Sequence, residues 1–430
     1  MSGTLVVLFG DTVVGTVIQL PGGRLRFDYD AVYRERSHAT PMSLSMPTSV
    51  PSHADGVIRP WLWGLLPDNQ AVLDRWARQF HVSASSPFGL LATSIGRDCA
   101  GAMRFVPPQQ VEGALDSPGD VTWLDEQGVG ERLRDLRGDP TAWLGKSFTG
   151  QFSLAGFQSK TALLFKDGRW GVPSGAVPTT HILKPAQPQF EDSHLNEHLC
   201  LAAARRAGLT AVKTRIEQFA GETAIVVERY DRVTESDEPS RVHQEDLCQA
   251  LGLLPWQKYQ SEGGPGPRHI AEFLRNVMAP RAADDAVRRF ADALIWNWLI
   301  GGTDAHAKNY SLLLAGAQAR LAPLYDVASG LPYASHERHL RMAMKIGGNY
   351  EIELWQSNWP KAARDLSLDV DQLLHRVRQL ASSAPDAFAS AAAESAVRAL
   401  HRPLVPRLVD LIADRSERCL RLLAAPGPTA

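Results

Sequence analysis

At 430 residues, with 44% hydrophobic and 21% charged side chains, the chain is long enough for two or three domains with sizeable cores, and its composition excludes disorder and collagen-like repetition. Its 45 Lys and Arg against 47 Asp and Glu give a formal net charge of -2, which supplies no bulk attraction to nucleic acid and leaves room for local basic patches alone. Cys99, Cys200, Cys248 and Cys419 lie far apart without CxxC or zinc-ligand spacing. That pattern predicts a reduced, cytoplasmic protein with neither a disulfide framework nor structural zinc. The N-terminal apolar run lacks a preceding basic region and is broken by Gly10 and Asp11, so a signal segment is not expected, and no stretch reaches the roughly 18 apolar residues of a membrane span.

Leu5 to Phe9 and Val13 to Val17, joined by Gly10-Asp11, predict a β-hairpin, with a third strand around Leu25 and Phe27. A Ser-, Pro- and Thr-rich stretch from Pro41 to Pro60 leads into helical pieces at Trp61 to Leu66 and Leu73 to Phe80. The acidic, turn-rich segment between Pro108 and Pro140 reads as a connection. Strands are then expected at Phe152 to Leu154, Thr161 to Phe165, His181 to Leu183, Ala211 to Ile216 and Thr223 to Val227. A helix interrupts them from about His194 to Ala207, with Ser193 as its N-cap and Glu197 beside its packed stripe. After Asp231 the pattern turns helical, at His243 to Leu251, His269 to Val277, Ala283 to Leu299, Val370 to Ala381 and much of Ala387 to Leu423. Trp296 and Trp298 read as core residues. A smaller sheet-rich half therefore precedes a larger helical half. The expected division is 1–108 as a sheet-containing subdomain, 109–232 as the remainder of an N-lobe with a phosphate-binding loop, and 233–430 as a helical C-lobe with catalytic and metal-binding loops.

The strongest chemical constellation is Thr303-Asp304-Ala305-His306-Ala307-Lys308-Asn309-Tyr310, followed by Leu324-Tyr325-Asp326. A carboxylate, an imidazole, an ammonium and an amide crowd together at the end of a buried-looking helix, where loops position reacting groups. Phosphoryl transfer would employ three of these residues directly. Asp304 accepts a proton from an attacking hydroxyl, while Asn309 and Asp326 offer hard oxygens to magnesium. A metal-dependent hydrolase would instead use Asp304, His306 and Asp326 as ligands. Thr180-His181-Ile182-Leu183-Lys184 ends a strand on a lysine suited to nucleotide phosphates, which Glu197 could fix by an ion pair. Gly150-Gln151-Phe152-Ser153-Leu154-Ala155-Gly156-Phe157-Gln158-Ser159-Lys160-Thr161 could cradle anionic oxygens with its amides, though an ordinary hairpin turn explains it as well. It matches neither the Walker A nor the protein-kinase glycine-loop pattern.

Taken in order, Phe152 to Leu164, Thr180 to Lys184, Val227-Glu228-Arg229-Tyr230-Asp231-Arg232, Asn297 to Asn309 and Pro323-Leu324-Tyr325-Asp326 closely resemble the HipA-like serine/threonine protein kinase toxins of bacterial type II toxin-antitoxin systems. The likeness extends to Gly64-Leu65-Leu66-Pro67, Ile95 to Ala102, Gln244 to Gln249, Lys258-Tyr259 and Gly263 to Gly266, so it covers nearly the whole chain. The resemblance implies an α+β, two-lobed protein-kinase-like fold using ATP and Mg2+. It implies a HipB-like DNA-binding antitoxin as partner, with operator DNA reached through that antitoxin. It makes Asp304 the catalytic base, Asn309 and Asp326 the magnesium ligands and Lys184 the phosphate lysine. Nucleotide contacts are implied for Ser153, Leu154, Ala155, Gly156, Phe157, Gln158, Ser159 and Lys160, for Glu228 and Tyr230 in the adenine-facing connection, and for His306 and Lys308. Ser153 matches the family's autophosphorylated serine, and glutamyl-tRNA synthetase is the best-known kind of target. Ala305 departs from a family glycine and would restrict a positive φ there; Ser159 also departs, standing before Lys160. The competing readings are a metal-dependent phosphohydrolase and a catalytically weak kinase-fold regulatory protein.

Overall fold

The computed structural model describes residues 3–116, 119–145, 150–187, 189–234 and 238–425. The chain divides into two compact units, one made of Met1–Pro185, Gln218–Pro255 and Ser311–Ala319, the other of Ala186–Glu217, Trp256–Tyr310 and Arg320–Ala430.

The first unit opens with the expected hairpin, Gly3–Phe9 against Thr12–Gln19, extended by Leu25–Tyr29 and Ser52–Ala54 on one side and by Met103–Val106 on the other, all antiparallel. Alternation turns Leu5, Val7, Val17 and Phe27 inward. Against them pack the helices Asp55–Gly64 and Gln70–Phe80, which bury Trp61, Leu62 and Trp76 in one core. A second sheet places strands in the order Glu222–Glu228, His181–Pro185, Thr161–Lys166, Arg169–Pro173 and Val121–Leu124. Its register sets His181 opposite Glu228 and Lys184 opposite Ile225.

The second unit is helical. Pro280–Ile300 carries its apolar residues to Gly301, which ends the helix in the left-handed conformation at φ 64°. Trp296 stacks on Phe388 at 5.9 Å, Trp298 meets Trp359 edge-on at 5.0 Å, and the buried Arg415 guanidinium lies over Trp298 at 5.4 Å. Both tryptophans are core residues, as expected. No helix among the described residues is long and apolar enough to cross a membrane, and all four cysteines are buried free thiols.

Four local expectations need correction. The stretch from Pro108 to Pro140 is more than a connection: Val121–Leu124 joins the second sheet, and Glu126–Gly138 presses Val129 and Leu133 into its core. Its acidic character arises partly because Asp125 caps that helix, accepting from Gly128 N at 2.8 Å. His243–Asp246 is a strand paired with Ser311–Ala315, and just Leu247–Ala250 is helical; pairing overrides the helical pattern, and Asp246 starts the helix with a capping box to Gln249. Ser193 is the first residue of the Ser193–Arg206 helix and not its cap; Asp192, at φ 53°, holds that place, while Ser193 Oγ accepts from Gln187 N at 2.8 Å. The strand expected at Ala211 to Ile216 runs instead from Thr214–Phe219, because Ala211 is taken up in a parallel bridge with Leu324.

Candidate active site

In the second unit, the loop after Pro280–Ile300 is shaped mainly by main-chain hydrogen bonds. Gly302 N donates to Asn297 O at 2.7 Å, and a Cβ at Gly302 would fall 2.4 Å from Asn297 Oδ1, so the chain can leave the helix this closely with glycine alone. His306 N donates to Asp304 O at 2.8 Å and Asn309 N to His306 O at 2.9 Å, tightening the turn. Ala305 is buried, with its φ outside the positive region, so the methyl group in place of a glycine leaves this turn unstrained. The Asp304 side chain is 71% exposed, accepts a hydrogen bond from Tyr259 Oη and lies 3.9 Å from His306 Nε2. Tyr259 and His306 meet edge-on at 5.0 Å, and Ala307 N donates to Lys258 O at 3.1 Å, so the 256–262 segment braces the loop.

Asn309 is the centre of this arrangement. Its buried side-chain Nδ2 donates to Asp304 O at 3.0 Å and to Asp326 O at 3.3 Å. With the nitrogen engaged by two carbonyls, the amide orientation commits Oδ1 to the opposite side as an acceptor. Asp326 is exposed and sits at φ 56°, a left-handed conformation uncommon outside glycine and asparagine-like residues. Its segment is fixed from three sides. Val212 N and Thr210 O pair with the two main-chain groups of Leu324 at 2.9 Å each, and Tyr325 Oη donates to Lys308 O at 2.6 Å. Asn196, fully buried on the Ser193–Arg206 helix, donates to Ser329 O at 2.7 Å and accepts from Ser329 N at 2.9 Å. Asn309 and Asp326 thus supply an amide and a carboxylate oxygen, a donor set that fits magnesium. Asp304, His306 and Asp326 form no group of the kind that binds a metal through three His, Cys, Asp or Glu side chains among the described residues.

The predicted residues of the first unit fall into three places. Lys184 is buried on its strand; Glu197, buried as well, belongs to the other unit. Glu228 ends the strand Glu222–Glu228, and the next residue, Arg229, donates its N–H to Thr180 O at 2.9 Å. Burial pushes the Tyr230 phenol well above its usual range, and this neutral hydroxyl donates to Gln244 Oε1 at 2.6 Å. The third place is the loop from Ser153 to Lys160. Phe152–Ser153 pairs in parallel with Asp98–Cys99, and the fully buried Ser153 Oγ donates to Leu65 O at 2.8 Å. Asp68 N donates to Gly156 O at 3.1 Å, so the Gly64-Leu65-Leu66-Pro67 motif ends where the loop docks. Lys160 Nζ donates to Ala155 O at 3.1 Å and lies over the Trp143 ring at 4.3 Å. A Cβ on Gly156, at φ 103°, would reach within 2.9 Å of that ammonium. Phe157 is 64% exposed at the loop tip.

Sequence reasoning gave no role to Asn196, Ser329 or Leu65. Asn196 offered one signal, an amide in a helix otherwise dominated by small and apolar residues on its packed faces; a main-chain acceptor such as Leu65 O offers none.

Residues 152–388 match the family described as HipA-like C-terminal domain, and residues 5–106 match the HipA N-terminal domain. The putative kinase Y4mE of Sinorhizobium fredii is 33% identical over 418 residues, covering 96% of this chain and 97% of the relative. The serine/threonine-protein kinase toxin HipA of Shewanella oneidensis is 31% identical over 299 residues, 66% of each chain. A chain from the structure of the Shewanella oneidensis MR-1 toxin-antitoxin complex of HipA, HipB and operator DNA has the same fold, with a TM-score of 0.82 and 24% identity over 98% of both chains.

Proposed function

The chain belongs to the HipA family of kinases, and on that footing we propose that it is an ATP-dependent serine/threonine protein kinase acting as the toxin of a toxin-antitoxin pair. The observation that carries this reading is the double hold of Asn309 Nδ2 on the main chains of Asp304 and Asp326, which gathers an exposed carboxylate, an amide oxygen and a second exposed carboxylate in one loop system. Asp304 orients the hydroxyl of a target serine or threonine and accepts its proton as the hydroxyl oxygen bonds to the γ-phosphorus of ATP and the bond to the β-phosphate oxygen breaks, leaving ADP. Tyr259, by donating to Asp304, fixes the carboxylate's orientation. Lys184 places its ammonium on the nucleotide phosphates. Asn309 and Asp326 would hold magnesium, which would supply charge neutralisation at the phosphate oxygens. Main-chain groups of Glu228 and Tyr230 meet adenine, and the loop from Ser153 to Lys160, with His306 and Lys308, completes nucleotide recognition.

The finer elements of the proposal are a HipB-like antitoxin that carries the operator-DNA specificity, a translation component such as glutamyl-tRNA synthetase as target, and autophosphorylation at Ser153. A net charge of -2 supports assigning DNA recognition to the partner. Burial of the Ser153 hydroxyl against Leu65 O means that its phosphorylation requires the loop to leave this position, after which the added negative charge opposes return and ATP rebinding. The test is incubation of the native chain and Asp304→Asn with γ-labelled ATP, magnesium and cell extract, with labelled sites mapped by mass spectrometry. Native protein is expected to label serine or threonine on a target and Ser153 on itself, and the folded variant to lose at least about 100-fold of this activity. Phosphate release without any phosphoprotein would favour the hydrolase, and nucleotide binding without transfer would favour the regulatory protein.

A further inference from the structure

Beneath the first unit's surface lies a cluster of charges for which the reaction chemistry has no direct use. Asp98 is fully buried. Its Oδ2 accepts from Thr179 Oγ1 at 2.6 Å and Thr179 N at 3.0 Å, and its Oδ1 accepts from the Arg232 guanidinium at 3.0 Å. Arg229 is held by Asp231 in two hydrogen bonds at 3.0 and 2.8 Å and donates to Thr179 Oγ1 at 2.8 Å. Burial alone would raise the Asp98 carboxyl, but the surrounding guanidinium groups hold it well below the usual carboxylate range, so it stays ionised.

What the cluster can do follows from its connectivity. Arg229 and Arg232 also donate to Cys99 O, at 3.0 and 3.1 Å. Cys99 stands opposite Ser153 in the short parallel pair that begins the loop from Ser153 to Lys160. Arg229 itself lies between Glu228 and Tyr230, and its main chain is fixed to Thr180. One set of guanidinium groups therefore grips both the strand paired with the one that launches the loop and the segment assigned to adenine. Thr179 Oγ1 bridges the two halves, donating to Asp98 and accepting from Arg229.

We propose that Asp98, Thr179, Arg229 and Arg232 form a positioning clamp that holds the phosphate-loop strand and the adenine-facing segment in a single register, making the nucleotide site pre-organised. The proposal rests on the kinase reading above. A clamp of this kind acts on the fraction of molecules competent to bind: if loosening it lowers that fraction to about one tenth, the apparent dissociation constant for ATP rises about tenfold while chemistry after binding is unaffected. A merely structural cluster would lower melting temperature without selectively changing nucleotide affinity.

The test uses Thr179→Val, which removes the bridging hydroxyl while keeping shape and every charge, with Thr179→Ser as the conservative rescue. Hydrogen exchange without nucleotide is expected to accelerate together in the 98–99, 152–154 and 228–232 segments of the valine variant and to return to native rates in the serine variant. In the phosphotransfer assay, KM for ATP is expected to rise about tenfold with kcat within about twofold of native, again restored by serine. Faster exchange confined to the neighbourhood of residue 179, or native KM despite coupled exchange, overturns the clamp. So does a fall in kcat at unchanged KM. Should Thr179→Val not fold, Arg229→Lys is read by the same two measurements and the same criteria. Failure of the native chain to bind ATP would strike the kinase reading, whereas the exchange arm judges the coupling on its own.

Discussion

Replacing Asn196 by alanine is the sharpest probe of how the Asp326 loop is held. Asn196 and Ser329 are 0% and 2% exposed, and the amide satisfies both main-chain groups of Ser329. Alanine leaves a buried N–H and a buried C=O without those partners, each a loss of about 1–3 kcal/mol, and removes side-chain volume that water cannot easily refill. Partial relaxation should bring the sum to about 3 kcal/mol, which for a helical unit of this size lowers its melting temperature by roughly 6–12 °C. Asn196→Asp should be damaged comparably, because it keeps the acceptor for Ser329 N while turning a second oxygen toward Ser329 O. Differential scanning fluorimetry reads the stability, and phosphotransfer measured well below the lowered melting temperature reads the site. Turnover should fall at least about tenfold, since small displacements of a catalytic group are expensive in rate. A melting temperature within about 2 °C of native, about 0.5–1 kcal/mol by the same conversion, would refute the energetic argument. Native turnover in the folded variant would show that Asp326 does not depend on this hold.

Lys184→Met should keep the buried aliphatic stem yet raise the ATP KM or lower turnover by at least about tenfold; native steady-state constants in this variant would remove the lysine from the nucleotide site. Glu245 gives a pH signature: although it accepts from Leu44 N at 2.8 Å, Ser43 Oγ at 2.5 Å and Trp61 Nε1 at 3.2 Å, burial pushes its carboxyl up to about 7. The folded state then holds the proton more tightly than the unfolded state, so this group's contribution is complete below about pH 4.5 and is lost as pH rises to about 7. Glu245→Gln should flatten that decline by about 3 kcal/mol over the interval, seen in denaturation midpoints across pH; parallel native and variant profiles would contradict it.

The elements that were legible from sequence are those whose pattern is local. The opening hairpin, the 161–166 and 181–185 strands and the long Pro280–Ile300 helix follow from alternation or helical spacing, and they fall where those patterns place them. His243–Asp246 was not legible, because its partner strand Ser311–Ala315 lies roughly seventy residues away and pairing, unlike spacing, leaves no trace in the segment itself. Within the candidate site, the residues with reactive polar side chains announced themselves by type: Asp304 and Asn309 stand in one crowded polar loop and Asp326 in another, each next to apolar runs. The groups that set their geometry did not, since Ser329 N and Lys308 O are main-chain atoms available in any residue. Tyr259 and Asn196 lie between these extremes, being visible as side chains without their partners being visible at all.

The left-handed backbone of Asp326 restricts which substitutions can be interpreted there. Asparagine shares the short side chain that tolerates this conformation, so Asp326→Asn subtracts a charge from an otherwise undisturbed loop. Alanine, lacking the local polar compensation, adds a backbone penalty of about 1 kcal/mol, and valine or isoleucine would meet a larger one. Glutamate would preserve the charge but not the conformational tolerance or the reach. A catalytically dead reagent made by alanine substitution would therefore mix altered loop populations with altered chemistry, and partner-binding experiments using it could misattribute one to the other. The same restriction narrows the paths by which this position can drift: aspartate to asparagine needs one nucleotide change and little structural adjustment, so if Asp326 holds magnesium as proposed, a silent, still-folded binder lies one step from an active enzyme.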